Sequence, residues 1–99
     1  LSVVTLEPNL EQILHQSLQA GGEDGGGIEP GLAERLLTSL QQTAEQQEIA
    51  GDVTVLLVTT QVRRWLARFV KHTAHQIHVL AYNEIPESKK IKVVANIGQ

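Results

Sequence analysis

Val53-Thr54-Val55-Leu56-Leu57-Val58, then Thr59-Thr60-Gln61-Val62-Arg63-Arg64-Trp65-Leu66-Ala67-Arg68-Phe69-Val70, then Ile77-His78-Val79-Leu80-Ala81 decide the fold. The first run is apolar apart from Thr54 and does not alternate. Both of its faces are therefore covered, as in a central strand of a helix-flanked sheet. In the second run Val62, Trp65, Leu66, Phe69 and Val70 recur at i, i+3, i+4, i+7 and i+8, one stripe of an amphipathic helix. Thr59 or Thr60 is placed to cap that helix. Arg68, Lys71 and His72 put cations in its last turns, where the helix dipole favours them. The third run is β-branched and apolar, and is expected to form a strand. Strand, helix and strand in this order imply a right-handed βαβ unit.

Toward the N-terminus, Val3-Val4-Thr5-Leu6 predicts a short strand. Pro8 suits the first turn of a helix, where a missing N–H costs nothing. Leu10, Ile13, Leu14 and Leu18, with Ser17, then form an apolar stripe that stops near Ala20, before Gly21-Gly22. Residues 21–28 form a Gly-rich loop. A second helix starts at Glu29-Pro30. It carries Leu32, Leu36, Leu37, Leu40 and Ala44 on one face and Gln42, Glu45 and Gln46 on the other, and Gly51 stops it. Toward the C-terminus, Pro86-Glu87-Ser88-Lys89 is turn chemistry. Ile91, Val93, Ala95 and Ile97 then alternate with Lys92, Val94 and Asn96, which predicts a last strand paired as a hairpin with the preceding one. The order is β-α-α-β-α-β-β. It predicts a single small α/β domain with a mixed, mainly four-stranded sheet flanked by helices.

The composition narrows the function. A chain of 99 residues holds one core. There are no cysteines, which excludes a disulfide framework and any Cys-based zinc site. No apolar run approaches the roughly 20 residues that span a bilayer. No signal-peptide pattern stands at Leu1, and the missing initial Met leads us to expect a piece of a longer protein. Charge is split. Residues 1–59 hold Arg35 against nine carboxylates, a net −8, whereas residues 60–99 hold seven Arg and Lys against two carboxylates, a net +5. Such blocks attract each other on folding or orient an interaction.

No catalytic constellation emerges. The glycine loop follows a helix, lacks the Gly-Lys-Ser/Thr ending of a phosphate loop, and carries Glu23, Asp24 and Glu29, which repel phosphate. His72, His75 and His78 are spaced by three, but no Asp, Glu or Cys lies between His72 and Glu84 to complete a metal site. Ser2, Ser17, Ser39 and Ser88 sit in no Gly-x-Ser-x-Gly elbow. We therefore expect no enzyme activity, no metal and no cofactor. Arg64, Arg68 and Lys71 form a basic stripe at i, i+4 and i+7. Overall acidity and the lack of aromatics placed for base stacking argue against nucleic acid. A solvated face and a contact with an acidic protein surface both remain open. A small-ligand or nucleotide-binding regulatory domain is the alternative, with its site at the C-terminal ends of the parallel strands.

Several segments, in order and over nearly the whole chain, resemble one family. They are Gly25-Gly26-Gly27-Ile28-Glu29-Pro30-Gly31-Leu32-Ala33-Glu34-Arg35-Leu36, Val55-Leu56-Leu57-Val58 with Arg63, Arg64 and Leu66-Ala67-Arg68-Phe69, Val79-Leu80-Ala81-Tyr82-Asn83-Glu84-Ile85-Pro86, and the strand to Ile97-Gly98. The chain resembles the flagellar type III export-gate family, and the Gly-Leu-Ala-Glu-Arg-Leu helix start favours the flagellar over the injectisome branch. The resemblance implies the C-terminal subdomain of a large cytoplasmic region in a membrane protein, at the cytoplasmic face of the bacterial inner membrane. It implies a thioredoxin-like α/β fold. It implies protein partners: export chaperone–cargo complexes, other export-apparatus subunits and neighbouring gate subunits in a ring. It implies no contact of this part with nucleic acid or membrane. Two departures concern loops: Thr59-Thr60 where the family often has Pro, and Ala74-His75 where it often has Leu-Pro. The resemblance transfers no binding residue.

Overall fold

The computed structural model describes residues 2–21, 28–71 and 76–98. His72, His75 and most of the glycine loop lie outside the described residues. The elements are strand β1 (Ser2–Leu6), helix α1 (Pro8–Gly21), helix α2 (Pro30–Ile49), strand β2 (Thr54–Val58), helix α3 (Thr60–Val70), strand β3 (Ile77–Ala81), a 3-10 turn (Tyr82–Glu84) and strand β4 (Lys92–Ile97). Their order is the expected one.

Local chemistry sets the boundaries. Pro8 and Pro30 open α1 and α2. The Glu7 carboxylate accepts a hydrogen bond from the Leu10 N–H at 3.2 Å and so caps α1. Gly51 ends α2 with φ +82°, a conformation open to a residue without Cβ. Thr59 is the N-cap of α3, but its hydroxyl makes no capping bond.

The sheet has four strands in the order β3-β2-β1-β4. All three pairings are parallel, with Val4 opposite Leu56, Leu56 opposite Val79, and Leu6 opposite Ile97. This corrects two expectations. The sheet is parallel rather than mixed, and β4 pairs with β1 rather than forming a hairpin with β3. The cause lies in the two faces of the central strands. Val4, Leu6, Leu56 and Val58 pack with Leu10 and Leu14 of α1, Leu36 and Leu40 of α2, and Val62, Leu66 and Val70 of α3. All three helices thus cover one face. On the other face Val3, Val55 and Leu57 are buried as well, packed by Leu80 and Ile85. Ile85 belongs to the connection 82–91, which runs from one edge strand to the other and so serves as the cover of this face. A connection returning across a parallel sheet with the usual hand passes on the side opposite the helices.

All five residues of β2 are buried, as its unbroken apolar run requires. The alternating pattern of β4 is split by a register irregularity opposite Val3 and Val4. Ala95 and Ile97 reach the helix-side core, whereas Val93, paired with Val3, is 56% exposed. A bulge switches the face that a strand presents, and period-two reading does not anticipate it.

Candidate interaction site

Helix α3 is buried along Val62, Leu66 and Val70 and exposes Arg64 and Arg68 one turn apart on another side. Between them in sequence, Trp65 is half-buried and stacks on Phe69, with ring centroids 4.7 Å apart and planes at 19°. The sequence pattern assigns Trp65 and Phe69 to the core stripe. They occupy its flank, where large rings bury one side and leave the other to solvent.

Arg64, Trp65 and Arg68 form one wall of a groove of about 330 Å³. The other wall is α1, through His15, Leu18 and Gln19, and Thr60 and Gln61 close one end. Among the described residues no carboxylate lines it. The structure therefore divides the predicted stripe. Arg64 and Arg68 share a groove, while Lys71, the C-cap of α3, is exposed and outside it. Arg63 turns to another partner, the Glu84 carboxylate. His15 and Leu18 are the members that sequence reading missed. They lie on a different helix, and only the packing of α1 against α3 brings them here.

The crevice at the C-terminal ends of the parallel strands is of another kind. It is about 270 Å³ in size and is lined by Glu11, Gln12, His15 and Thr59 among others. Glu11 Oε2 accepts a hydrogen bond from the Thr59 N–H at 2.6 Å. A side-chain carboxylate thus occupies the place at the start of α3 where a phosphate would bind. This arrangement disfavours the nucleotide-binding alternative. Nearby, burial and then the charge of Glu11 raise the pKa of the Tyr82 phenol.

Glu84 ties the turn after β3 to α3. Its Oε1 accepts from the Ala81 N–H at 2.8 Å and faces Arg63. The Ala81 bond first, and Arg63 after it, hold the carboxyl below its ordinary value of 4.5 against a smaller opposing effect of desolvation. A depressed carboxylate contributes stability above its unfolded pKa and loses it as pH falls through the folded value. Glu84→Gln is therefore expected to melt below the parent at neutral pH, and the gap should close as pH falls from neutral to below 4.5. Thermal melts across that range check this; a gap independent of pH contradicts it.

Among the described residues no group of three or more His, Cys, Asp or Glu is placed to hold a metal ion, and no helix is long and apolar enough to cross a membrane. His78 is exposed on β3.

A parallel sheet with three helices on one face defines a small α/β domain, and a groove lined by Arg64 and Arg68 runs between two of those helices. The FHIPEP family matches residues 1–90. The flagellar biosynthesis protein FlhA of Salmonella typhimurium is 40% identical over 98 residues, which cover 99% of this chain and 14% of that protein. Among solved structures, the CdsV protein of Chlamydia pneumoniae superposes with a TM-score of 0.79 at 25% identity, covering 100% of this chain and 28% of that one. The nonameric SctV-C structure from EPEC gives a TM-score of 0.74 at 19% identity, covering 98% of this chain and 29% of that one, and shows the shared fold. The chain belongs to the FHIPEP family, that of the flagellar and type III secretion export-gate proteins, and spans a small part of its relatives' length.

Proposed function

We propose that this chain is the C-terminal cytoplasmic subdomain of a flagellar export-gate protein, that it acts without catalysis, and that it helps to dock chaperone–cargo complexes and to build the cytoplasmic ring. The parent protein would sit in the bacterial inner membrane with this subdomain on the cytoplasmic face. The observation that carries the reading is the family match over residues 1–90. The nonameric state of the SctV-C relative supports the ring. The basic face of α3, with Arg64, Arg68 and Lys71, is the surface offered to acidic partner proteins. Its charge opposes the carboxylates that dominate soluble acidic surfaces, and such complementarity speeds and orients docking.

An amide NMR titration of the chain with a purified flagellar chaperone–cargo complex tests this. Shifts should concentrate on residues 60–71 and vanish when Arg64, Arg68 and Lys71 are all changed to Glu. An unperturbed spectrum at high partner concentration would remove the docking role, as would shifts unaffected by the triple substitution.

A further inference from the structure

An edge strand carries a row of N–H and C=O groups with no strand beside them, and this sheet has two edges, β4 and β3. β4 is defended. Lys92 stands exposed on it, and Lys89 and Lys90 precede it. The register irregularity opposite Val3 and Val4 leaves Val94 as an extra residue, a bulge that bends the strand. Charge and bulges are the usual means by which an edge avoids further pairing. β3 has neither. Ile77-His78-Val79-Leu80-Ala81 contains no Lys, Arg, Pro or Gly and keeps an unbroken register with β2. Among the described residues no strand lies beyond it.

The backbone of this edge has a defined pattern. The Ala81 N–H donates to Glu84 Oε1 at 2.8 Å and so points away from β2. Backbone groups alternate between the two sides of a strand, so Val79 and Ile77 turn their N–H and C=O groups outward as well. Glu84, held by Arg63, closes one end of this row and leaves the rest of it open to a partner. The side chains are half-buried on both faces. Ile77 belongs to the helix-side core and Leu80 to the opposite face. Ala67 lies one turn along α3 from Arg63, so the helix that packs on β3 offers only a methyl group on that side.

We infer that the outer edge of β3 takes an extended segment of a partner polypeptide as an added strand. Main-chain hydrogen bonds to Val79 and Ile77 hold the segment, and its side chains lie alternately on Ile77 with Ala67 and on Leu80. The segment is β-branched, free of Pro and acidic at its ends. The acidic ends follow from charge, because residues 60–99, of which β3 is part, carry a net +5. The same charge disfavours a second copy, since pairing two β3 edges would bring two such halves together. This surface is separate from the face of α3 proposed above for docking, and it recognises backbone more than side chains.

Hydrogen exchange read by amide NMR tests the inference. The probe is a short peptide alternating Val and Thr between terminal Glu residues, and the control is the same peptide N-methylated throughout, which keeps the side chains and removes the donors. In the free chain the Val79 amide should exchange freely. Saturating peptide, at sub-millimolar concentration, should slow it at least about tenfold, and the methylated peptide should leave it unchanged. Ile77→Lys installs on β3 the protection that β4 already has, and should weaken peptide binding at least about tenfold while circular dichroism stays that of the parent. If that variant loses its helical signal, His78→Lys at an exposed position is read in its place. Four results would overturn the inference: no protection of Val79 up to about 1 mM peptide, an equal effect of the methylated peptide, undiminished binding to the lysine variant, or a Val79 amide protected before peptide is added. In the last case sedimentation separates an edge covered by a second copy, where protection rises with a dimer, from one covered within the chain.

Discussion

Leu66→Ala is expected to lower the stability of the chain by about 2–5 kcal/mol. Leu66 is fully buried on the inner face of α3 and belongs to the core cluster that α1, α2 and β1, β2 and β4 complete. Removing its isobutyl group loses the burial of that side chain and leaves a cavity that three helices and a sheet cannot jointly collapse to fill. Domains of this size have net stabilities of about 5–15 kcal/mol, so the loss is a large share. The midpoint of thermal unfolding should fall by at least roughly 8 °C. Ile49→Ala is the control. Ile49 is 80% exposed at the end of α2, and its truncation should change stability by less than about 0.5 kcal/mol. Urea denaturation of both variants checks the pair, and a Leu66→Ala cost near that of the control would contradict the assigned core.

The second large effect is expected at Gly98. Its φ is +136°, and an added Cβ would stand 2.7 Å from the Glu7 Cβ and 3.0 Å from the Leu10 Cδ2. The Glu7 N–H donates to the Ile97 carbonyl at 2.6 Å, so the chain here is pinned against the start of α1 and has no room to retreat. Gly98→Ala therefore combines an unfavourable backbone conformation with a steric overlap, and should cost about 3 kcal/mol. Gly51 isolates the first contribution. Its φ is +82°, but nothing lies within 4 Å of an added Cβ. Gly51→Ala should cost only about 1–2 kcal/mol, the intrinsic penalty for an L-residue in that region. Equal losses at the two glycines would show that the contact at Gly98 relaxes freely.

These two experiments probe what the sequence states most and least clearly. The core of α3 was legible because Val62, Leu66 and Val70 repeat with the helical period, and β2 because an unbroken apolar run has no other stable home. The partner of β4 was not. A ten-residue connection with Pro86 and Lys89 has the composition of a turn, and nothing local tells that Ile85 is the cover of Val3, Val55 and Leu57. That information lies in the far face of strands more than twenty residues away. The candidate site divides in the same manner. Arg64, Arg68 and Lys71 were legible as a stripe on one helix. The groove was not, because His15 and Leu18 join Arg64 and Arg68 only through the packing of two helices, and because Trp65 fits a core pattern as well as it fits a groove wall.

The pairing of β1 with β4 has a mechanical consequence. The two strands lie side by side and parallel, with Ser2 beside Lys92 and Leu6 beside Ile97. Ser2 and Ile97 therefore stand at opposite ends of one ribbon. Tension applied between them slides the strands past each other, and every bond of the ladder has to stretch at once. An antiparallel pair pulled from its open ends would unzip one bond after another. Such a clasp lets the domain bear a pull between Ser2 and Ile97 while its core stays shut.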